Sequence, residues 1–344
     1  MVGTLIRPDE LPDPAAGCGA VDRTGTSVGG AMHKGKTLFL FSFLVVPVLI
    51  FALFVISPFL QIFYLALTDW TGYTPNYNFV GLQNFQSLFS QAGVLDREFW
   101  AGLRNNLILL VVVPAITLTI ALFFATMLNL AGSTRAGQLK GVSGAGFYRL
   151  LFFLPQVISV AALAIMFQQT FQPNGLLNWL VRLITFSPPG PNEAAGQAWL
   201  AQPWTALGVV IFLLVWMNVG FYMVHFTAAM AAIPRELLEA AAIDKASKVQ
   251  TFFRVTLPLL WPAVQTALVY LMIMCLDVLA IVNLMTIGPG GPDNATTVMA
   301  LSVFKAKTQG LFGFSSAEGV IVFAVTAIVA AVMLRITRRE QVEL

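Results

Sequence analysis

The chain carries few charged residues, and this shortage decides its class. Only 10% of its 344 residues are Asp, Glu, Lys or Arg, whereas 58% are hydrophobic. A soluble globular domain has about 25% charged and about 45–50% apolar residues. A soluble protein with so few charges could not cover its own surface, so the composition predicts a polytopic membrane domain.

Cysteine and histidine are also scarce. The two cysteines, Cys18 and Cys275, lie far apart in the sequence, and there are only two histidines. These numbers exclude a disulfide scaffold and argue against a Cys/His metal site. The net charge of +3, from 19 basic and 16 acidic residues, is too small and too scattered to indicate nucleic-acid binding. We therefore predict no metal and no nucleic-acid partner.

Long runs without charge are abundant instead. A helix of about 20 apolar residues crosses a bilayer. Six charge-free runs cover residues 37–68, 105–134, 150–181, 194–234, 255–276 and 319–334. The last is long enough only if its helix begins near Leu311, which carries Glu318 into the outer part of the membrane. The sequence therefore predicts an all-α integral membrane protein with six transmembrane helices.

Basic residues flank these runs unevenly. If the N-terminus is cytoplasmic, most lysines and arginines fall on cytoplasmic segments, which is the bias that membrane proteins show. We therefore predict that both termini are cytoplasmic. Residues 1–36 are rich in Gly, Pro, Ala and Thr and lack apolar periodicity, which predicts a disordered cytoplasmic tail.

A nucleotide-binding pattern lies in that tail. Residues 30–37 match the P-loop pattern GxxxxGK[ST]. The chemistry of the motif needs a strand before the loop and a soluble helix after it, so that backbone N–H groups converge on phosphates. No apolar strand precedes Gly30 and a membrane-spanning run follows, so the match is interpreted as accidental.

The segment 231–262, between the fourth and fifth runs, predicts a short amphipathic helix. Pro234 suits the first turn of a helix, and Glu236 and Glu239 favour its positive end. The three alanines at 240–242 form a surface that another backbone can approach closely. On composition alone this segment could equally be a mere connector between two spans.

The spacing within this segment resembles the EAA loop of ABC importer permeases. Glu239-Ala240-Ala241 is followed by Asp244 five residues after the Glu, and by a Val-x-Leu-Pro that ends at Pro258. Lys245 stands where that family usually has Gly, which puts the local turn in doubt because Lys tolerates left-handed backbone poorly. The resemblance implies a coupling helix that docks into an ATPase subunit. The residues it implicates are Glu236, Glu239, Ala240, Ala241, Asp244, Lys245 and Pro258.

The resemblance extends over residues 65–335. Residues 79–85 (FVGLQNF), 153–155 (FLP) and 174–178 (NGLLN) resemble segments of the carbohydrate-importing branch, and Thr286 with 290–292 (GGP) resembles its TxGGP turn. These features are similar to the MalF-type subunit of the MetI-like family. The resemblance implies a first transmembrane helix and outer loop at 37–104 and a permease core at 105–344.

Such a subunit works by alternating access within a complex and is not itself an enzyme. The resemblance implies a second, MalG-type permease, two ATPase subunits and an extracytoplasmic sugar-binding protein, assembled among lipids of the bacterial inner membrane. ATP and magnesium are then held by the partner ATPases, and this chain needs no cofactor of its own. The substrate is expected to be a di- or oligosaccharide or a sugar derivative.

The fifth predicted span continues beyond its charge-free run and contains a carboxylate, Asp277. A charged side chain at a helix centre costs about 2.5–3.5 kcal/mol on insertion scales, so Asp277 is not expected to face lipid. Tyr270, Met274 and Asp277 fall at i, i+4 and i+7, one stripe of a continuous helix. The resemblance implies that the middles of the fourth and fifth spans line the sugar path. The implicated residues are Asn218, Phe221, Tyr222, Tyr270, Met274, Asp277 and Val278. Alternatively, Asp277 is structural and bonds a neighbouring helix.

Two other classes of protein are alternatives. An ion-coupled secondary transporter places ionisable residues within the membrane, and Asp277 and Glu318 are the candidates here. An intramembrane enzyme would need a nucleophile with a base, or a metal cluster, and His225 stands alone in its span. The ABC permease remains the favoured interpretation.

Overall fold

The structure is a computed structural model that describes most of the chain. The described residues are 28–90, 93–130, 134–135, 138–139, 144–186, 196–286, 288 and 290–337. Of the predicted tail, residues 1–27 lie outside this part. The remainder, from Val28, belongs to a helix rather than to a disordered segment, because extending a helix by one residue costs less than starting one. The division of the chain at 36 and 104 stays a prediction.

Helices make up nearly all of the described residues. In chain order they are α1 (Val28–Phe51), α2 (Ser57–Leu65), α3 (Gln83–Ser90), α4 (Val94–Leu130), α5 (Ala145–Val157), α6 (Val160–Thr170), α7 (Leu176–Thr185), α8 (Pro203–Ala231), α9 (Arg235–Ile243), α10 (Lys248–Thr251), α11 (Leu257–Leu259), α12 (Trp261–Leu276), α13 (Leu279–Met285), α14 (Met299–Thr308) and α15 (Phe312–Thr337). Two π-helical segments, Ala52–Ile56 and Phe252–Thr256, join α1 to α2 and α10 to α11, and Pro292–Asn294 forms a 3₁₀ turn. The strands β1 (Thr134–Arg135) and β2 (Gln138–Leu139) form a small antiparallel pair.

The described residues contain four helices that are long and apolar enough to cross a membrane, and six if each of two bent pairs counts as one span. The four are Phe41–Leu65, Val94–Leu128, Pro203–Ala231 and Phe312–Arg335. The bent pairs are Gly146–Val157 with Val160–Thr170 and Lys248–Leu259 with Trp261–Leu276. The six-span prediction therefore corresponds to this count, and the last helix begins at Phe312, next to the predicted Leu311.

Two of the predicted spans are not single helices. The third run bends by 93° between α5 and α6, where Ile158 and Ser159 are extended. Pro155 removes one helical hydrogen bond before this bend, and α6 packs on α13 beyond it. The fifth run bends by 68° at Leu260, between Pro258 and Pro262, both of which lack the amide hydrogen that a helix needs.

Contacts divide the chain into a unit that ends at Phe59 and a unit that begins at Leu60. The second unit is built around α8, which packs against α4, α5 and α12. The α8 helix is apolar on all sides, as expected of a helix buried in a bundle. Its first half contributes Val210, Leu213 and Leu214 to one core cluster. Its second half contributes Met223 and Phe226 to another, with residues of α4 and α12.

The crossing of α5 and α8 is unusually close. Gly220 of α8 is buried against the backbone of Phe152, and a Cβ atom at Gly220 would lie 1.8 Å from the Phe152 carbonyl oxygen. No side chain fits there without moving a helix. A glycine at this position therefore allows the two helices to pack at this distance.

Candidate coupling and translocation sites

The predicted amphipathic helix of the EAA-like segment is present. It is α9, Arg235–Ile243, and Pro234 is its N-cap residue. Glu236 lies in the first turn, where a carboxylate is favoured by the positive end of the helix. The helix is short and most of its side chains are exposed, so it stands at the surface of the chain.

One face of α9 is free to contact another protein. Glu236, Glu239, Ala240 and Ile243 follow the i, i+3, i+4, i+7 spacing of a single helical stripe, and all four are exposed. Ile243 is 80% exposed, and the sequence analysis did not single it out. Ala241 differs from the expectation of a docking residue because its side chain is 9% exposed and faces its own chain.

The turn after α9 keeps the geometry that glycine would favour, although Lys245 occupies it. Lys245 has a left-handed backbone, with φ of 57°. Its N–H donates to the Ala242 carbonyl at 3.1 Å, and the Ala246 N–H donates to the Ala241 carbonyl at 3.0 Å. This pair of bonds is a Schellman motif, with Asp244 as the C-cap residue. The doubt about the turn is therefore resolved, and the lysine adopts it at a steric cost.

The next helix begins immediately with a capping box. The Gln250 N–H donates to the Ser247 hydroxyl at 3.3 Å, and the Ser247 N–H donates to the Gln250 side-chain oxygen at 2.9 Å. These bonds satisfy amide donors at the start of α10. Pro258 lies further on, exposed, in α11 after the π-helical segment. The turn between α9 and α10 is thus held by bonds between near neighbours in the sequence.

The fifth span ends just before Asp277, so the expected continuous stripe is wrong at this residue. The α12 helix ends at Leu276, and Asp277 is its C-cap, with φ of −117° and ψ of 67°. A continuing helix would use the Cys275 carbonyl to accept the amide of residue 279. The side-chain amide of Asn106 on α4 donates to that carbonyl instead, at 2.9 Å. Asp277 is left exposed at the break between α12 and α13.

The other predicted path residues do not share one surface. Phe221 and Tyr270 are exposed, and Met274 is half-buried. Asn218, Tyr222 and Val278 are buried within the chain, because α8 is packed on several sides and Val278 belongs to the core around it. Tyr270 lines a pocket of about 370 Å³ with Gln265 of α12 and Leu334 of α15. The amide of Asn218 donates to the Leu214 carbonyl of its own helix, at 2.8 Å.

Two adjacent asparagines on α4 form a clamp that the sequence analysis missed. Asn105 and Asn106 are 1% and 0% exposed. The Asn105 amide donates to the carbonyls of Asn294 and Thr297, at 3.0 and 2.8 Å. Besides holding the Cys275 carbonyl, the Asn106 side chain accepts the Met299 N–H at 2.8 Å. Two neighbouring amides at the start of an apolar run were the signal, since such groups must be hydrogen-bonded when buried.

The segment that contains the GGP sequence forms a tight turn. Gly290 and Gly291 have φ of 101° and 68°, a region that glycine enters without steric cost. The Thr296 N–H donates to the Gly290 carbonyl at 3.0 Å and closes the loop. A Cβ at Gly290 would also lie 2.1 Å from the Thr297 hydroxyl. The turn therefore depends on glycine for both its backbone conformation and its packing.

Of the ionisable residues considered for the two other protein classes, Glu318 and His225 have partners within the chain, whereas Asp277 is exposed. The Ser302 hydroxyl donates to the Glu318 carboxylate at 2.7 Å, and both groups are buried. The Nε2 atom of His225 lies 3.1 Å from the Ala263 carbonyl oxygen of α12. Within the described part of the chain, no group of three or more His, Cys, Asp or Glu could hold a metal ion.

Comparison with known families now identifies the chain. Residues 103–341 match the family described as "Binding-protein-dependent transport system inner membrane component". The chain belongs to this family. It is a multi-pass subunit of the inner membrane, and the family supplies the non-enzymatic permease of ABC importers. The predicted class and location are confirmed.

Several relatives carry sugar-transport names. The chain is 38% identical to the diacetylchitobiose uptake system permease protein NgcF of Streptomyces coelicolor over 331 residues, which cover 95% of this chain and 88% of the relative. It is 29% identical to the trehalose/maltose transport system permease protein MalF of Thermococcus litoralis, with 86% and 92% covered. These relatives place the chain among permease subunits of sugar ABC importers, which confirms the resemblance to the carbohydrate-importing branch.

Solved structures share the fold. The crystal structure of a bacterial ABC transporter involved in the import of the acidic polysaccharide alginate contains a chain that superposes with a TM-score of 0.72 at 20% identity. The match covers 89% of this chain and 97% of that one. A chain of a bacterial alginate ABC transporter in complex with an alginate pentasaccharide-bound periplasmic protein superposes with a TM-score of 0.71 at 20% identity. The permease fold predicted from the sequence is confirmed.

Proposed function

We propose that this permease imports a disaccharide built from N-acetylated amino sugars. The observation that carries this proposal is the 38% identity to the diacetylchitobiose permease over 95% of the chain. The relatives named for other sugars, such as the multiple sugar-binding and the trehalose/maltose permeases, are 29% identical. A substrate close to diacetylchitobiose is therefore favoured over maltose or trehalose.

The importer is expected to contain further subunits. These are a second, MalG-type permease, two ATPases that hold ATP and magnesium, and an extracytoplasmic sugar-binding protein. Both termini of this chain are then cytoplasmic, as is α9. Exposed apolar side chains such as Leu150, Leu154 and Met166 on α5 and α6 supply surface for lipid or the second permease.

The coupling contact is assigned to α9. Its exposed stripe of Glu236, Glu239, Ala240 and Ile243 combines two carboxylates with a small and an apolar side chain. The small residue lets a cleft of the ATPase approach closely, and Ile243 supplies apolar contact area. The Schellman turn at Lys245 and the capping box at Ser247 hold the helix in a defined position, so that motion of the ATPase can be passed to α12.

The sugar path is assigned to the surface that carries the break in the fifth span. Helix breaks within transporters expose polar backbone where it lines a cavity. Asp277 lies exposed at this break, and an ionised carboxylate accepts hydrogen bonds from hydroxyl groups. Phe221 is an exposed aromatic of the fourth span that could stack on a sugar ring. Replacement of Asp277 by Asn keeps its size, and we expect an assembled complex that imports the sugar poorly.

Transport by the reconstituted complex tests this proposal. Vesicles containing all subunits should take up labelled N,N′-diacetylchitobiose when ATP is inside, and maltose or trehalose much more slowly. Uptake of maltose at the higher rate would contradict the proposed substrate. Uptake that survives removal of ATP but stops when the proton or sodium gradient is collapsed would instead favour the ion-coupled transporter.

A further inference from the structure

A second pocket, with polar side chains in its lining, lies between the N-terminal half of α4 and the start of α8. It has a volume of about 340 Å³ and is lined by Arg104, Asn105, Ile108, Pro203, Trp204, Leu207, Asp293 and Ala295. This size falls within the range of small-molecule sites. Because α9 follows the other end of α8, a cytoplasmic α9 places this pocket at the outer face of the membrane.

The lining combines three side chains that suit a carbohydrate. Trp204 is 85% exposed, so its ring is available for contact. Asp293 accepts hydrogen bonds and Arg104 donates them, whereas a sugar hydroxyl can do both. The apolar face of a sugar ring can lie on an indole, which supplies large contact area at little cost in conformational entropy. A strongly charged ligand would meet one like charge here, so a neutral sugar fits better.

The rim of the pocket is held in place by buried hydrogen bonds. Asp293 and Asn294 both have left-handed backbones, with φ of 51° and 57°. Such conformations persist only where the surroundings enforce them. The amide of Asn105 does so by holding the carbonyls of Asn294 and Thr297. The position of the Asp293 backbone is therefore set by α4, which also supplies Arg104 to the same pocket.

The α4 helix connects the lining of the pocket with the break in the fifth span. Asn105 lines the pocket, and the next residue, Asn106, holds the Cys275 carbonyl two residues before Asp277. The same two residues of α4 thus support the outer pocket and the break in the fifth span.

We propose that this pocket is an outer receiving site, which binds the sugar after its release from the binding protein and before it reaches the break in the fifth span. The proposal rests on the sugar-import function given above. Trp204 supplies the stacking surface, and Asp293 and Arg104 bind hydroxyl groups.

Direct binding to the complete transporter tests the site. The complex is held in nanodiscs without its binding protein, and saturation-transfer NMR measures its affinity for N,N′-diacetylchitobiose. We expect measurable binding to the wild type, at least a tenfold loss in Trp204→Ala and recovery in Trp204→Phe, which retains an aromatic ring. Trp179→Ala is the matched control, because Trp179 is 57% exposed on α7 and does not line the pocket.

A second variant distinguishes a loss of sugar binding from a general disruption of the fold. Asp293→Asn is compatible with the left-handed backbone, and it should weaken sugar binding several-fold without changing assembly. Undetectable sugar binding by the wild type, or equal binding by the wild type and Trp204→Ala, would overturn the proposal. A loss of affinity for the binding protein in Trp204→Ala would also overturn it, because the tryptophan would then be a protein-docking residue.

Measurements with several sugars distinguish a failure of the receiving-site proposal from a failure of the substrate proposal. The binding measurement is repeated with maltose and trehalose, and the sugar that the wild-type vesicles import is used for comparison. If maltose is imported and Trp204→Ala weakens its binding, the substrate proposal fails while the receiving site stands. If diacetylchitobiose is imported and Trp204→Ala binds it normally, the receiving site fails while the substrate proposal stands.

Discussion

The coupling loop and the asparagine clamp are held by hydrogen bonds of very different range. In the loop, the Schellman turn and the capping box join residues three to five positions apart. In the clamp, the side chains of Asn105 and Asn106 bond backbone groups 169 to 193 residues away. The loop can therefore keep its shape with little help from the rest of the chain, whereas the clamp exists only when several helices are already in place.

The largest change in the free energy of unfolding is expected when the hydrogen bonds of the asparagine clamp are removed. Asn106→Leu keeps the branched shape of the side chain but leaves the Cys275 carbonyl and the Met299 N–H unpaired. Each buried unpaired group costs about 1–3 kcal/mol, so the free energy of unfolding should fall by about 2–6 kcal/mol. Chemical denaturation in mixed micelles measures this change.

Thr119→Ala on the same helix is the control, since the Thr119 hydroxyl bonds only the Ala115 carbonyl one turn away. It should change stability by at most about 0.5 kcal/mol. Equal stability of the two variants would show that the long-range hydrogen bonds of Asn106 contribute no measurable stability to the fold.

The next effect concerns the close crossing of α5 and α8. Gly220→Ala introduces a Cβ at 1.8 Å from a backbone oxygen, which only a helix shift can relieve. Overpacking of this kind should cost about 3 kcal/mol in the free energy of unfolding. Gly208→Ala on the same helix meets nothing within 4 Å and should stabilise by up to about 1 kcal/mol. Opposite signs in micelle denaturation would support the crossing; equal shifts would contradict it.

A smaller effect should appear when the docking stripe of α9 is blocked. Ala240→Trp adds a bulky side chain to the exposed stripe, and we expect at least a tenfold loss of ATP-driven uptake, about 1.4 kcal/mol, with the chain still in the membrane. Ala242→Trp places the same side chain on a different face of the helix, about 200° away, and should retain most of the activity. Normal uptake by the Ala240 variant would refute the assignment of this stripe.

The smallest effect is local to the coupling turn. Lys245→Gly relieves the cost of a left-handed lysine but increases the freedom of the unfolded chain, so a net gain of about 0.5–1 kcal/mol is expected. Hydrogen exchange of the Ala246 amide should slow about two- to fivefold. Ala242→Gly, within α9, should speed the same exchange because glycine disfavours helix interiors. Faster exchange in Lys245→Gly would indicate that the lysine side chain stabilises the turn.

The local features of the coupling loop could be predicted well. Pro234, Glu236 and the alanines predicted α9, because capping preference and helix propensity act over one or two turns. The burial of Ala241 could not be predicted, since it depends on which side of α9 meets the segment after α10. The turn at Lys245 was doubted on steric grounds, and the two backbone bonds of the Schellman motif outweigh that cost.

The predicted continuity of the fifth span through Asp277 is wrong for a related reason. The stripe through Tyr270, Met274 and Asp277 assumes that α12 continues. Helical periodicity does not predict where a distant side chain will donate a hydrogen bond to a helix carbonyl. Asn106 does this at Cys275, and the helix ends one residue later. The burial of Asn218 and Tyr222 likewise follows from the central position of α8, which only the packing of its neighbours determines.

The amino-acid sequence by itself determined that this protein lies in a membrane, how many apolar segments it has, where α9 and its turn form, and the permease family to which it belongs. Composition and near-neighbour hydrogen bonds suffice for these features because they act within a few residues. The prolines beside the bends of the third and fifth spans are also visible in the sequence. The tertiary structure decided which face of α9 is exposed and that Asp277 lies at a helix break. Each of these depends on groups more than a hundred residues apart or on which helices become neighbours, and those contacts form only when the bundle is assembled.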